Sequence, residues 1–557
     1  MAQSIVQVNV SLQLAPAPAT LQQSGALISQ GATNLTKNQS AILTQLSDLT
    51  PLLNGSKTFS AMSWSGGLVT ATTTAPHGYT ISDTLLLTIS GVAPSGYNGT
   101  FLVTITGAST LTYAVAATLG SVTVQGAYTP EDVAELLSMA TTYFAQGNTQ
   151  AVWVLELGAG NANDGVAALT AYLIANPNNI YAAYAGGSAG YFYAYLVPRE
   201  WDAVASYLAL IASYESTTAR TYFFTTTTLT SYTAYTNLMK GVYAIIESPL
   251  LGVYPANALT AISWTLGVVT ATTTTAHGVV PGDWFQISGV TPAGYNGWFL
   301  AQTGTTGSTI VYNVAATLGV ESVLGTLVAS YYANAGVSAS EFSCASWFYA
   351  FLKINATSTN RATPMAYSFL YGVTPFPTRG NSALITTLTT ANIDIVGTGA
   401  EGGISTAMAL NGAFLNGFDA TIWYSIDWVQ INVDLNVANA VINGSNSPLN
   451  PLYYNQDGIN RLQAVAASTI AQGVAYGLVV GQPTQVQFDG SVFVAALNAG
   501  NYAGLSPVNA VPFLVYTQEN PSAYAAGSYG GFSIAYVPAR GFKTITFNVL
   551  ASFFTSV

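Results

Sequence analysis

The feature that most constrains this chain is that it says one thing twice. Residues 67–78 read GLVTATTTAPHG, and residues 267–278 read GVVTATTTTAHG. The likeness runs from Met62 to Gly120 and again from Ile262 to Gly319, with the same marks in the same order: a Trp, His-Gly, Ile-Ser-Gly-Val, Gly-Tyr-Asn-Gly and Ala-Ala-Thr-Leu-Gly. Trp64, His77 and Asp83 recur 200 positions on as Trp264, His277 and Asp283; Ile89 recurs after 198 as Ile287, and Gly120 after 199 as Gly319. Such slips between matched blocks are what loop-length changes do to a duplicated domain, so a module of about 60 residues is present twice. The copies are not adjacent and cannot stack on each other as solenoid or propeller repeats must to bury a core. They read as insertions into something larger. Thr-rich alternation, the turn signals His-Gly and Pro-Gly-Asp, and Asn-Gly as a hairpin turn predict five or six short strands in a small barrel or sandwich. The chain's two histidines are the matched pair, which makes them turn residues of the module rather than ligands.

Charged residues are 6% of the 557, against about 25% in an ordinary soluble domain. A surface this poor in charge fits either a protein largely covered by other subunits or a secreted β-rich protein with a Thr/Ser/Asn exterior. The net charge of −11, with 11 basic residues, argues against a nucleic-acid binder, whose affinity rests on Lys and Arg. Cys344 is the single cysteine, so neither an intrachain disulfide nor a Cys-based metal site is available, and its apolar setting marks a buried thiol. The first twenty residues lack the basic segment and apolar run of a signal peptide. Leu462–Gly481 is apolar but interrupted by Gln, Ser, Thr and Gly, and reads as an amphipathic helix rather than a membrane span. The expectation is a soluble protein of a reducing compartment.

Both ends read as strands. Val6, Val8, Val10, Leu12 and Leu14 alternate with polar residues, and APAPAT follows as a stiff connector. Near the other end Ile545, Phe547, Val549, Ala551 and Phe553 share one face. Neither has a hairpin partner beside it, and a lone strand must pair with a sheet somewhere, its own or a neighbour's. Between them helices are predicted at Thr129–Asn148, with Thr129 as N-cap and Pro130 in the first turn, and at Asp164–Ala175, Glu200–Tyr214 and Asp457–Tyr476. AVWVLEL, IYAAYA and YFYAYLV read as strands. The host is α plus β; the inserts are all-β.

Few motifs carry chemistry. Gly186–Gly190 matches the nucleophile elbow G-x-S-x-G, but Ser188 would need a downstream acid and histidine, and His277 belongs to the duplicated module. Gly397–Gly402 matches G-x-G-x-x-G with Asp419 at a suitable distance, yet the intervening segment is too rich in Gly and Asn for a crossover helix. Asp427 and Asp434 lie seven apart and read as two solvated acids. No Walker A sequence and no metal spacing occur. Nothing here looks like an enzyme, and no cofactor is expected.

With the inserts set aside, the host resembles the tail sheath proteins of contractile-tailed bacteriophages. The likeness is carried by PEDVAELLSMATTYFAQGNTQAVWVLELG, by SWFYAFLKINATSTNRATPMAYSFLYGVTPFP, by GAFLNGFDATIWYSIDWVQINVDLNVANAVING and by NQDGINRLQAVAASTIAQGVAYGLVVG, in that order along about two thirds of the chain. The inserts resemble a small β-barrel module of phage structural proteins. The resemblance implies an α+β, mixed α/β sheath-like core (21–58, 128–258 and 329–541), two insertion domains (59–127 and 259–328), and strand arms at 1–20 and 542–557. It implies a virion tail subunit, assembled in the host cytoplasm, that stacks as hexameric rings of itself around a tail tube protein, meets baseplate and terminator proteins, and contracts to drive the tube into a cell. Val6, Val8, Val10, Leu12, Leu14, Ile545, Phe547, Val549 and Phe553 would then be subunit-interaction residues. Neither nucleic acid nor membrane insertion is implied. A tail tube or baseplate protein, a secreted adhesin or surface-layer protein, and a hydrolase acting through Ser188 are the other readings.

Overall fold

The computed structural model describes residues 21–115, 119–176, 192–215, 220–228, 231–235, 242–246, 257–277, 279, 284–314, 317–328, 341–357, 359–376, 382–398, 406–480 and 508–541. The protein is α+β and divides into two compact units, one of residues 1–353, 369–410 and 414–416, the other of 354–368, 411–413 and 417–557.

The first unit is built on a six-stranded sheet. In spatial order its strands are Val242–Ile246, Tyr222–Thr227, Ala194–Leu196, Gly25–Ser29, Val152–Glu156 and Ser40–Leu43. All pairings are parallel except that of Ser40–Leu43, an antiparallel edge strand. Parallel strands need cover on both faces, and this sheet has it. Ala26, Ile28, Leu155, Tyr195 and Phe223 pack with Val166, Leu169 and Tyr172 of helix Ala162–Ala175 and with Tyr207, Leu210 and Ile211 of helix Ala205–Ser213. Tyr222 and Phe224, one residue either side of Phe223, turn the other way onto Phe348 and Phe351 of helix Ser343–Leu352. On that face Gly25 gives the helix room: a Cβ there would lie 2.3 Å from Leu352 Cδ1, and the Leu352 and Phe348 side chains would have to shift.

Local chemistry moved several boundaries. Thr129 does not cap the first helix: it belongs to strand Ala127–Pro130, paired with Thr88, and helix Glu131–Ala145 starts straight after Pro130. Helix Ala162–Ala175 begins two residues before Asp164, because Asp164 is its N3 residue and closes a capping box with Asn161. The predicted helix 200–214 is broken at Ala203, whose φ is +57° and whose N–H donates to Tyr235 Oη at 2.8 Å.

The two modules show why their marks recur. In the first, strands Lys57–Ser65, Leu68–Thr73, Thr84–Ser90, Gly99–Gly107, Thr110–Ala114 and Ala127–Pro130 close into a barrel around Phe59, Val69, Leu87, Ile105, Leu111 and Tyr113. Each mark is a polar group reaching a backbone atom that the ladder leaves over. Trp64 Nε1 donates to Val115 O at 3.0 Å, and Trp264 Nε1 to Val314 O at 3.2 Å. Tyr97 and Tyr295 donate to Gly120 O and Gly319 O, both at 2.9 Å. Asn98 and Asn296 each clasp both backbone groups of a valine, Val92 and Val290, at 2.7–2.9 Å. Asn-Gly is thus not a two-residue hairpin turn. Asn98 is extended (φ −88°, ψ 143°) and ends the 3-10 turn Ser95–Tyr97, within a longer connection between strands that do pair as a hairpin. The second module repeats the strand order, but Gly297–Leu300 stops short of its neighbour Thr309–Asn313, leaving a six-stranded sheet instead of a closed barrel. Gly304, with φ +103°, lies where the first module continues its strand.

The second unit is dominated by helices Ala420–Asn446 and Gln456–Ala475, capped by Asp419 and Asn455. It also holds a two-stranded sheet, Val508–Ala510 with Phe532–Ile534.

Candidate assembly surfaces

The residues expected to mediate subunit contacts, Val6, Val8, Val10, Leu12, Leu14, Ile545, Phe547, Val549 and Phe553, lie outside the described residues. The described chain reaches Gly541 through a small antiparallel platform. Its strands Val508–Ala510 and Phe532–Ile534 are anchored by Gln463 Nε2, which donates to Val508 O at 2.8 Å. The next residues bridge to the end of the helical hairpin, Val480 N to Val537 O and Ala539 N to Leu478 O, both at 2.8 Å. A sheet of two three-residue strands is a small edge-rich element, and such edges accept further strands.

The alternatives with chemistry fare differently. Ser188 lies outside the described residues. Of the Gly397–Gly402 run, Gly397 and Thr398 close strand Ile395–Thr398, whose partner Ala407–Leu410 returns antiparallel; a dinucleotide fold needs a parallel return over a crossover helix, which eight intervening residues cannot supply. Asp419 is buried as the N-cap of the long helix, accepting from Thr421 N at 2.8 Å. Asp427 is a correction: it is fully buried, while Asp434, two turns on, is exposed. The helix packs along one side through Trp423, Tyr424, Trp428 and Val429 and takes Asp427 in with them, so the two acids share no solvent-facing site. Cys344 is buried in helix Ser343–Leu352. Among the described residues no three His, Cys, Asp or Glu side chains gather as a metal would require, and no helix is long and apolar enough to cross a membrane.

Several buried or largely buried carboxylates match no motif in the sequence, Glu156, Glu135 and Glu341 among them. Glu156, at the carboxyl end of its strand, accepts from Ser29 Oγ (2.6 Å), Thr33 Oγ1 (2.7 Å), Thr33 N (3.2 Å), Gly31 N (2.7 Å) and Gly158 N (2.7 Å). Beside it the Gln30 amide accepts from Trp201 Nε1 and donates to Asn161 O. Open α/β sheets usually keep a ligand crevice at this end; at the ends of Gly25–Ser29 and Val152–Glu156 the side chains of Glu156, Gln30 and Trp201 occupy it. Glu135 meets Arg199, whose N and Nη1 both reach Oε1 (3.0 and 3.4 Å), while Nη2 donates to Glu341 O at 2.7 Å and the guanidinium lies over Phe342. Burial pushes the Glu135 carboxyl up, and Arg199 opposes that rise. Glu341 accepts from Ser343 Oγ, Thr374 N and Thr374 Oγ1. The available signal was a carboxylate inside an apolar run, as in VWVLEL, in a chain with so few charges.

The histidines are buried parts of their turns. His77 Nδ1 accepts from Tyr79 N at 3.1 Å and its Nε2 donates to Gly107 O at 2.8 Å; His277 Nδ1 accepts from Val279 N at 3.0 Å. An Nδ1 that accepts belongs to a neutral ring, and burial lowers both pKa values below 6.5. The unfolded chain protonates these rings near pH 6.5 and the folded modules do not, so their stabilising contribution is complete above that pH and declines as pH falls below it. Scanning calorimetry at about pH 7.5 and about pH 5.5 is expected to show this decline, and the double variant H77Q/H277Q to lack that part of it; an identical pH dependence in the variant counts against the neutral rings.

No family model and no curated protein matches the chain. Among solved structures it is similar to the helical sheath of the anti-feeding prophage in its contracted state, at 10% identity over 99% of this chain and 100% of that one, with a TM-score of 0.39. It is also similar to a sheath tail protein from Listeria innocua, at 9% identity over 83% of this chain and 87% of that one, with a TM-score of 0.35.

Proposed function

We propose that this chain is a structural, non-catalytic subunit of a bacteriophage contractile tail sheath, which polymerises around a tail tube and shortens to drive the tube into a cell. The observation that carries this reading is the order of the four host blocks, 130–158, 346–377, 412–444 and 455–481, along the sequence. The internal partners of Glu156, Glu135 and Glu341 support it, since these carboxylates are engaged in holding the fold. Terminal strands given to neighbouring copies hold the polymer together while each core moves as a near-rigid body. Contraction draws on a free-energy difference between subunit contacts in the long and short states. Negative-stain microscopy of the purified protein tests the reading: tubes or stacked rings are expected, and a dispersed monomer at every concentration overturns it.

In this reading the modules decorate the outside of the sheath. The first enters and leaves its host on adjacent strands, with Lys57 paired to Tyr128 and Ser56 Oγ 2.8 Å from Thr129 Oγ1. Excising residues 57–130 therefore rejoins neighbouring points, and among the described residues it costs the Ser56–Thr129 bond at the junction and the bond from Asn161 Nδ2 to Asp83 Oδ1. The shortened chain is expected to form the same tubes. Failure to polymerise, with the host still folded by circular dichroism, would make the module part of the mesh.

A further inference from the structure

The second unit leaves the tip of its helical hairpin incompletely packed. Along helix Ala420–Asn446, Asn432, Asn436, Asn439, Asn443 and Asn446 recur at alternating spacings of four and three, which places them on one helix face. Lower on that stripe Asn436 Nδ2 donates to Thr469 Oγ1 of the facing helix at 3.0 Å. At Asn443 the helices part around a cavity of about 250 Å³. Leu452, Leu462 and Val465 wall it with apolar surface; Asn443, Asn450 and Arg461 bring polar groups to it.

Arg461 is the unusual member. Its Nη1 donates to Pro451 O at 2.9 Å and its Nη2 to Asn450 O at 3.4 Å, which orients the guanidinium, but no carboxylate lies within ion-pair distance of it among the described residues. Arginine suits planar, multidentate recognition of a carboxylate, and the N–H groups not held by the two carbonyls remain for one. Ile442, Leu449 and Tyr453, next in sequence to the lining residues Asn443, Asn450 and Leu452, are 57%, 96% and 67% exposed. Arg461 is itself half-buried, and apolar residues beside a half-buried charged group that a partner can cover are the anatomy of a protein contact. The chain carries 22 acidic residues against 11 basic ones, so a second copy offers carboxylates in excess of cations.

We propose that this cavity is a socket for an aspartate or glutamate side chain of a second copy of the chain. The side chain's methylene stem lies against Leu452, Leu462 and Val465, and its carboxylate accepts from Arg461 with the Asn443 and Asn450 amides beside it. The socket rests on the self-association in the sheath reading, though not on the shape of the polymer.

Sedimentation velocity of the full chain tests it, comparing wild type with R461Q, R461E and A440F at low and at high salt. Arg461→Gln is expected to weaken self-association about tenfold or more, and Arg461→Glu further. Added salt should weaken the wild type more than R461Q. Ala440→Phe fills the cavity while leaving Arg461 on its carbonyls, so it should reproduce the loss even if the arginine variants fold poorly; thermal unfolding reports folding in each case. Variants that associate like the wild type overturn the socket, as does a wild type that stays monomeric. Oligomers that are neither tubes nor rings count against the sheath reading alone, and the Arg461 comparison still decides the socket.

Discussion

Replacing Glu156 with alanine is expected to destabilise the first unit by about 4 kcal/mol, because it leaves a set of buried donors facing nothing. Five donors converge on this one carboxylate, and three of them are backbone N–H groups that cannot turn away. They come from the strand Gly25–Ser29, from the loop after it and from Gly158, so the side chain ties together two neighbouring parallel strands at their carboxyl ends. Glutamine separates charge from shape. Its carbonyl can serve Gly31 and Gly158, and the Ser29 and Thr33 hydroxyls can rotate to accept from its amide, but Thr33 N–H then faces another donor. A loss of about 2 kcal/mol is expected for Glu156→Gln, roughly half that of alanine. Urea unfolding measures both, as a lowered midpoint at unchanged slope. A shift under about 1 kcal/mol for alanine would mean that water replaces the carboxylate, and that this end of the sheet is more open than its geometry indicates.

What could be read from the sequence followed the periodicity of burial. The modules were legible because their strands are half-buried: Val69, Ala71 and Thr73 are buried and alternate with Leu68, Thr70 and Thr72, which are wholly or partly exposed. The duplication did the work of an alignment, since Trp64, His77, Tyr97 and Asn98 each recur where a side chain completes the backbone's hydrogen bonding. The first host strand was not legible. GALIS is buried at every position, has no alternation to detect, and stands beside a Gln-Gln-Ser segment that is also buried. Turn chemistry misled at Asn98, where the amide clasps Val92 instead of taking a left-handed backbone, and at Thr129, which an antiparallel ladder claimed before the helix could. Asp427 was misplaced because its burial depends on what the second unit packs against the helix, and spacing along one helix carries no record of that. Arg461 was invisible for the same reason: its place beside Pro451 and Asn450 is set by the turn that joins the two long helices.

Removing residues 1–14, or residues 542–557, is expected to abolish polymerisation while leaving the folded units intact. Magnitudes explain why the loss should be complete. Burying the apolar face of an arm such as Val6, Val8, Val10, Leu12 and Leu14 gains roughly 1.5–3 kcal/mol per side chain. Each ladder hydrogen bond adds about 1 kcal/mol net. Fixing the backbone opposes this by about 1–2 kcal/mol per residue. For nine residues the terms nearly cancel, and one arm contributes only a few kcal/mol to its contact. A polymer multiplies that margin, because every subunit both gives and receives arms, and a second arm already docked makes the next binding step effectively intramolecular. Losing one type of arm removes a link from every subunit at once. Truncated chains should therefore unfold in urea at the midpoint of dissociated wild-type chains and appear dispersed in negative stain where the wild type forms tubes. Wild-type tubes from both truncations would mean that the ends are not donated between copies, and the charge-poor faces of the cores would then have to hold the assembly without them.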